Sequence, residues 1–372
     1  MSGAVRRTLG RAARPIRALG LVSRAAVLRV AGVPRDRVRV FYGHARIPAA
    51  SEPTSGGIVK FQRMQDRFPN TPWRFNTLYM VSSRLPHAPV GLARMAAGAG
   101  ARFVWNQNGV ASPAWPGPAW KEVNAPLEQL MRAADYVFYQ SEFCRRSADR
   151  FLAPREGPWE ILHNAVDTTV FTPRPTALPE PLTILVGGTQ DLRYRVSTAL
   201  ETLALVARTR ADARMVITGR LRWTPDETEC GRVARQLADE HGVAGRVTFL
   251  GPYTQAAAPD VFRGTHLLLH PKYNDPCPGT VVEALACGLP VVFSHSGGVP
   301  ELVGPDAGIG VPAEETWERV LPPDPVLLAD AVLRVADDLG RFSLAARRRA
   351  VERFDLGPWL ERHHAVFEGL LR

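Results

Sequence analysis

HPKYNDPCPGTVVEALACGLPVVFSHSGGVPELV, residues 270–303, is the stretch whose reading decides the fold of this chain. Two acids, Asp275 and Glu283, stand eight positions apart in it, with a Pro/Gly-rich turn between them. Glu283 falls in a short helical pattern. A second strand then runs from Pro290 to Ser294 and ends in the Gly297-Gly298 turn. A strand followed by a turn that opens a helix makes a pocket for a phosphorylated ligand. The first N–H groups of a helix have no intrahelical partner, and the helix dipole favours negative charge there. An acid on the first turns of such a helix accepts hydrogen bonds from sugar hydroxyls.

Outward from this segment the same strand–turn–helix unit repeats. Upstream, LTILVGG (182–188), ARMVITGR (213–220), RVTFLGP (246–252) and HLLLHP (266–271) read as strands. Helical patterns at 195–209, 226–242 and near 257–263 separate them. PRPTALPEPL (173–182) has four prolines in ten residues and reads as a stiff linker. Before it, VRVFYGH (38–44), NTLYMVSS (76–83), ARFVWNQNG (101–109) and the start of ADYVFYQSEFCRRSADRF (134–151) read as strands. A Gly-Gly loop opens a helix within 53–68. The end of the chain, from about Asp324, is helical in pattern with a break near Leu356-Gly357-Pro358. Apolar strands alternating with helices predict parallel α/β sheets. The 372 residues suffice for two domains of roughly 100–200 residues each. The expectation is two doubly wound, Rossmann-like domains with a ligand cleft between them at the carboxyl ends of the strands.

Composition sets limits. The chain is 45% hydrophobic and 22% charged, the balance of a globular protein with a large core. No apolar run reaches the roughly 18 residues of a spanning helix. Cys144, Cys230, Cys277 and Cys287 are scattered, which argues against a zinc site or a disulfide framework and for reduced thiols in the cytoplasm. The formal charge is +10, and residues 1–37 carry +8 of it, nine arginines against Asp36 alone. The remainder is nearly neutral, which argues against nucleic-acid binding. The arm mixes those arginines with Leu9, Ile16, Leu19, Val27 and Leu28. It reads either as a helix lying on an anionic membrane surface, peripheral on its inner face, or as a basic tail or targeting leader.

Several segments, in order, resemble glycosyltransferase family 4, retaining enzymes of the GT-B fold. The acidic pair is similar to that family's Glu-x7-Glu donor motif with Asp in the first place. LHNAVDTTVFTP (162–173) resembles the segment that closes the family's first domain. LVGGTQDLRYRVSTALETL (185–203) stands where the family has a Gly-rich loop before a helix, and VITGRL (216–221) and VTFLGPYT (247–254) stand at the next two strands. FDLGPWLERHHAVFEGLL (354–371) resembles the closing helix that crosses back to the first domain. The implied division is a basic arm 1–37, an acceptor-side domain 38–175, a nucleotide-sugar-binding domain 176–350 and a crossing helix 351–372.

The resemblance implies a metal-independent hexosyltransferase, active in polysaccharide biosynthesis, that uses no cofactor. The nucleotide-sugar, UDP- or GDP-linked, is a co-substrate, and the acceptor is a glycan or a lipid-linked hydroxyl. Breaking the anomeric C–O bond passes through an oxocarbenium-like state while charge grows on the leaving diphosphate. Arg195 falls nearest the family's lysine and, with Arg193, follows Gly187-Gly188. The family's other basic residue falls near Thr189 or Gln190, and Arg220 is the fallback. Glu283 is implied to bind the ribose diol and Asp275 to face the transferred sugar. The backbone of Cys277, Pro278, Gly279 and Thr280 lines sugar and diphosphate, with Gly188 on the facing loop. Gly56 and Gly57 resemble the first-domain glycine loop. The family often has a His after the 101–109 strand, where this chain has Asn106-Gln107-Asn108. His44 and His87 are substitutes by position. The insert ASPAWPGPAW (111–120) offers Trp115 and Trp120 either for stacking on an acceptor sugar or as buried loop anchors. Three alternatives stay open: a non-catalytic sugar- or membrane-binding GT-B scaffold, a nucleotide-sugar epimerase, and a phosphorylase. The last is weakened because Lys272 is the only lysine in the second half.

Overall fold

The computed structural model describes residues 28, 32–54, 56–176 and 180–372. The basic arm expected at 1–37 therefore lies, for the greater part, outside the described residues. Among the described residues no helix is long and apolar enough to cross a membrane.

The first sheet contains β1 (Val40–Phe41), β2 (Thr77–Val81), β3 (Arg102–Gln107), β4 (Tyr136–Tyr139) and β5 (Trp159–Ile161). All are parallel, in that order. The second sheet contains β6 (Thr183–Val186), β7 (Arg214–Thr218), β8 (Val247–Gly251), β9 (Leu267–His270), β10 (Val291–His295) and β11 (Gly308–Pro312). It is also parallel, with order β11-β10-β9-β6-β7-β8.

Each sheet is covered on both faces, so its strands alternate between two apolar clusters. In β6, Ile184 and Val186 join the cluster that includes Val196, Leu200 and Val332, whereas Leu185 joins the one that includes Val281, Leu285 and Phe354. In β2, Leu78 and Met80 face Trp105 and Leu130, while Tyr79 and Val81 face Phe61 and Phe367. This period of two, with apolar residues on both sides, is what the continuous apolar runs in the sequence encode.

Three elements depart from the sequence reading. The run 38–44 yields a strand of only two residues, because the chain turns at Gly43, which has φ +80°. Helix Trp120–Ala133 carries Pro126 inside it and begins within the expected Trp-rich loop. Strand β11, sequence GIGVP, has no counterpart in the sequence reading, because its two glycines interrupt any apolar run. Gly308 is required there because a Cβ would stand 1.9 Å from the Val291 carbonyl oxygen.

Helix Leu339–Phe354 packs Ala346, Ala350 and Phe354 into the second domain. The chain then breaks at Asp355, whose carboxylate caps the next helix by accepting from the Gly357 N–H. That helix, Leu356–Leu371, buries Trp359, Val366 and Phe367 in the first domain beside Tyr42, Phe61 and Phe138.

Candidate functional site

Strand order reverses between β6 and β9, which pair with each other and lead outward on opposite sides. The loops that leave the carboxyl ends of these two strands diverge, and the gap between them is where open α/β sheets bind ligands. A cleft of about 1170 Å³ opens there and extends to the first domain.

The loop after β6 is Gly187-Gly188. Gly188 has φ +83°, and its carbonyl oxygen would lie 2.2 Å from a Cβ on Gly219, itself at φ +82°. Both positions thus need glycine, and the close approach leaves the loop backbone open to the cleft. The loop after β9 leads through Asp275 to helix Gly279–Ala286. Pro278 occupies the N-cap of that helix with no side-chain cap, so its first N–H groups stay free to face an anion.

Asp275 is buried and lies 3.0 Å from His270 Nε2 and 3.7 Å from Lys272 Nζ. Burial alone raises a carboxyl's pKa. The Lys272 charge, the His270 hydrogen bond and Arg195 outweigh it and hold Asp275 well below the usual carboxylate range. Burial also keeps His270 neutral, so its Nε2 carries the hydrogen that the carboxylate accepts. Glu283 behaves oppositely. Burial pushes its pKa up, with Arg63 opposing, so the two acids of the motif are electrostatically distinct.

Arg195 is 3% exposed, on the first turn of helix Arg193–Val206. Its guanidinium donates to the Thr189 and Gly187 carbonyls, at 2.5 and 3.2 Å. It therefore braces the glycine loop while lining the cleft. Gln190, at the position expected to hold a second cation, is buried and donates to the Gly188 carbonyl at 2.8 Å. Lys272 brings a charge to the same wall instead.

The structure thus brings Asp275, Glu283, Arg195, Gly188, Cys277, Pro278, Gly279, Thr280 and Gly56 to one cleft. It does not bring Arg193, which is exposed and off the cleft wall. Arg193 and Arg195 are two residues apart on a helix and so point to opposite sides. Nor does it bring His44, whose ring packs on Phe61 at 5.7 Å and which burial keeps neutral. Gly57 also lies off the wall, against Ser83 and Arg84. Trp115 is exposed and Trp120 packs edge-on to Phe151; neither reaches the cleft.

Lys60, Arg63 and Lys272 are charged residues of the cleft outside the expected set, as are Arg84, Asp191, Arg222 and Glu227. Lys60 and Arg63 project from helix Gly56–Met64, three residues apart and on one face. Arg63 bridges to Glu283 at 2.5 Å, donates to the Ala165 carbonyl and lies 3.2 Å from Gln255 Oε1. Composition held one signal. The chain has only three lysines among 46 basic residues, and two of them line this cleft.

On the opposite flank the domains are clasped. The Glu301 carboxylate accepts the Glu142 and Phe143 N–H groups at 2.7 and 2.9 Å, capping helix Glu142–Phe151 across the interface. Ser141 Oγ donates to the Pro276 carbonyl at 2.7 Å, and Arg146 pairs with Glu315 at 2.6 Å. Among the described residues no group of three or more His, Cys, Asp or Glu is placed to hold a metal ion.

Residues 180–338 match the family model described as Glycosyl transferases group 1. The chain is 32% identical over 168 residues to D-inositol 3-phosphate glycosyltransferase of Mycobacteroides abscessus, covering 42% of this chain and 36% of that protein. It is 29% identical over 185 residues to the protein of that name from Mycolicibacterium gilvum, covering 47% and 40%. The chain therefore spans well under half the length of these curated relatives. Among solved structures, Anabaena HepE in complex with UDP superposes with a TM-score of 0.64 at 18% identity, covering 79% of each chain. A glycosyltransferase from Rickettsia africae superposes with a TM-score of 0.63 at 14% identity, covering 95% of this chain and 94% of that one. Residues 180–338 thus match the glycosyl transferases group 1 model, and the chain as a whole has the GT-B fold of these solved structures.

Proposed function

We propose that this protein transfers a hexosyl group from a nucleotide-diphosphate-sugar to a hydroxyl acceptor, with retention at the anomeric carbon. One observation carries the reading. An ionised acid, Asp275, a buried acid, Glu283, a capless helix start and the glycine loop braced by Arg195 converge at the topological switch point of the second sheet. In this reading Glu283 accepts the ribose hydroxyls, since a buried carboxylate with two oxygens suits a vicinal diol. The helix N–H groups, Arg195 and Lys272 hold the diphosphate. They meet its growing charge with fixed protein groups rather than with a metal. Asp275 stays negative beside the transferred sugar, where it stabilises positive charge at the anomeric centre. UDP is the first nucleotide to test, because the HepE complexes contain UDP and glucose or UDP-glucose.

The test is nucleotide release from UDP-glucose, UDP-N-acetylglucosamine and GDP-mannose with octyl β-glucoside as acceptor, alongside UDP binding by calorimetry. Wild type is expected to release nucleotide from at least one donor and to give an α-linked product by proton NMR. Glu283→Ala removes two hydrogen bonds to a charged acceptor, about 3 kcal/mol, and should weaken UDP binding about 100-fold. Wild-type protein that neither binds UDP or GDP nor releases nucleotide from any donor would refute the reading. A β-linked product would refute retention alone.

A further inference from the structure

An ion pair crosses the cleft between the domains. Arg63 stands on the last turn of helix Gly56–Met64 in the first domain, and Glu283 on helix Gly279–Ala286 in the second. Their side chains are 14% and 5% exposed, and Arg63 Nη2 lies 2.5 Å from Glu283 Oε1. Both residues line the cleft. Charges withdrawn from water to this degree are costly unless paired, so each group holds the other in place.

Arg63 is fixed on its other side as well. Its Nη1 donates to the Ala165 carbonyl, just beyond the last strand of the first domain, and its Nη2 also lies 3.2 Å from Gln255 Oε1. A guanidinium presents its donors in a rigid planar fork, so these partners leave it little freedom to turn away. It meets the carboxylate through one oxygen. A carboxylate has two oxygens and about four acceptor sites, so the pair leaves capacity for hydroxyl donors from the cleft.

The local field acts in the same direction. Burial pushes the Glu283 carboxyl up, toward its protonated form, and the Arg63 charge is the largest influence against it. A protonated carboxyl gives up acceptor capacity for a donor. Tyr253 and Cys287 also face this carboxylate, and burial pushes both of them up, Cys287 to about 12, so neither adds a charge. Among the described residues no other cation pairs with Glu283.

We propose that Arg63 is a positioning residue of the nucleotide site, supplied by the opposite domain: it holds the Glu283 carboxylate in the orientation that accepts the two ribose hydroxyls. This rests on the transferase reading above, in which Glu283 meets that diol. Arg63 acts through Glu283 and needs no contact with the nucleotide. The second domain supplies the acid and the first supplies the group that aims it, so recognition of the ribose belongs to the two domains together. A nucleotide that gains from its diol then favours the arrangement in which the pair is made. Lysine at this position keeps the charge but not the planar fork that serves Ala165 and Glu283 at once.

The experiment is calorimetric binding of UDP, and of dideoxy-UDP whose ribose lacks both hydroxyls, to wild type, Arg63→Met, Arg63→Lys, Glu283→Gln and the double variant Arg63→Met/Glu283→Gln. Each is measured at a temperature where circular dichroism shows it folded; if wild type binds only GDP, GDP and its dideoxy form take their place. Arg63→Met should weaken UDP binding at least about tenfold and leave dideoxy-UDP within about twofold, with Arg63→Lys between it and wild type. In the Glu283→Gln background, Arg63→Met should change UDP affinity by less than about threefold. That double variant buries no unpaired charge and so serves as the folded control. A purely structural role would weaken both nucleotides alike, and that result would overturn the proposal. So would a loss of UDP affinity below about threefold in Arg63→Met, or a gain, which would show the guanidinium competing with the ribose for the carboxylate. Equal binding of UDP and dideoxy-UDP by wild type would overturn the proposal and leave nucleotide binding standing. A wild type that binds neither UDP nor GDP would overturn the transferase reading with it.

Discussion

Replacing Arg63 by alanine should expose the electrostatic tension built into the cleft between the domains. The Arg63–Glu283 pair joins the two domains at 2.5 Å, with side chains 14% and 5% exposed. Removing one partner of a buried pair leaves the other charge uncompensated and costs about 3–5 kcal/mol. Arg63 is not fully buried, so the lower figure applies. At about 2–4 °C per kcal/mol for a domain of this size, the second domain should melt about 6–12 °C lower at pH 8. The pH dependence follows from Glu283, whose pKa burial already raises with Arg63 opposing. Without the arginine it rises further. A group with a raised folded pKa favours the folded state while protonated, so the cost of the substitution is complete at high pH and shrinks as pH falls. The melting difference between wild type and Arg63→Ala should therefore narrow between pH 8 and pH 5. In a Glu283→Gln background, Arg63→Ala should cost at least about 1.5 kcal/mol less than it does alone. Calorimetry of the four proteins at both pH values decides the matter. A loss below about 2 °C, or one that is equal at pH 5 and 8, would refute the reasoning.

Two further outcomes follow from the geometry. Gly219→Ala should cost about 1–3 kcal/mol in backbone strain at φ +82° and force the Gly188 carbonyl aside, abolishing the thermal shift given by UDP; an unchanged shift would show that the glycine loop does not shape the donor site. His363 is fully buried and neutral, pushed from 6.5 to about 3 by burial, so its contribution is complete above about pH 6.5 and lost progressively as pH falls toward 3; His363→Phe should flatten the acid limb of a plot of urea midpoint against pH, although the loss of the Tyr79 hydrogen bond lowers the midpoint at pH 7.

The second-domain wall of the cleft was legible because local sequence builds it. Asp275, the Pro278 N-cap and Glu283 lie on one continuous segment, so eight residues of spacing and one turn place them together. Gly187-Gly188 is readable for the same reason, being the turn that ends an apolar strand. The opposite wall was not legible. Lys60 and Arg63 look like ordinary polar residues of a short helix, and their burial is created by Asn106, Ala165 and Glu283, which are distant in sequence. The resemblance alone favours Arg195 over Arg193; the start of their helix supplies the physical reason, because it fixes which one turns inward. Strand β11 and helix Trp120–Ala133 were hidden by their glycines and proline. Tertiary contact, rather than propensity, holds those residues in regular structure.

The helix Leu356–Leu371 also sets the order in which the molecule can be finished. Trp359, His363, Val366 and Phe367 fill one side of the core whose other side is Val40, Tyr42, Phe61 and Tyr79. Each buried apolar side chain there contributes about 1.5–3 kcal/mol. Domains emerging from the ribosome ordinarily fold as they appear. Here the half that is translated first, whose last strand ends at Ile161, lacks one wall of its core until the helix that begins at Leu356 is made, so it must wait, partly open, while the second domain is made and folded. The last turns of the chain are what release it from that wait.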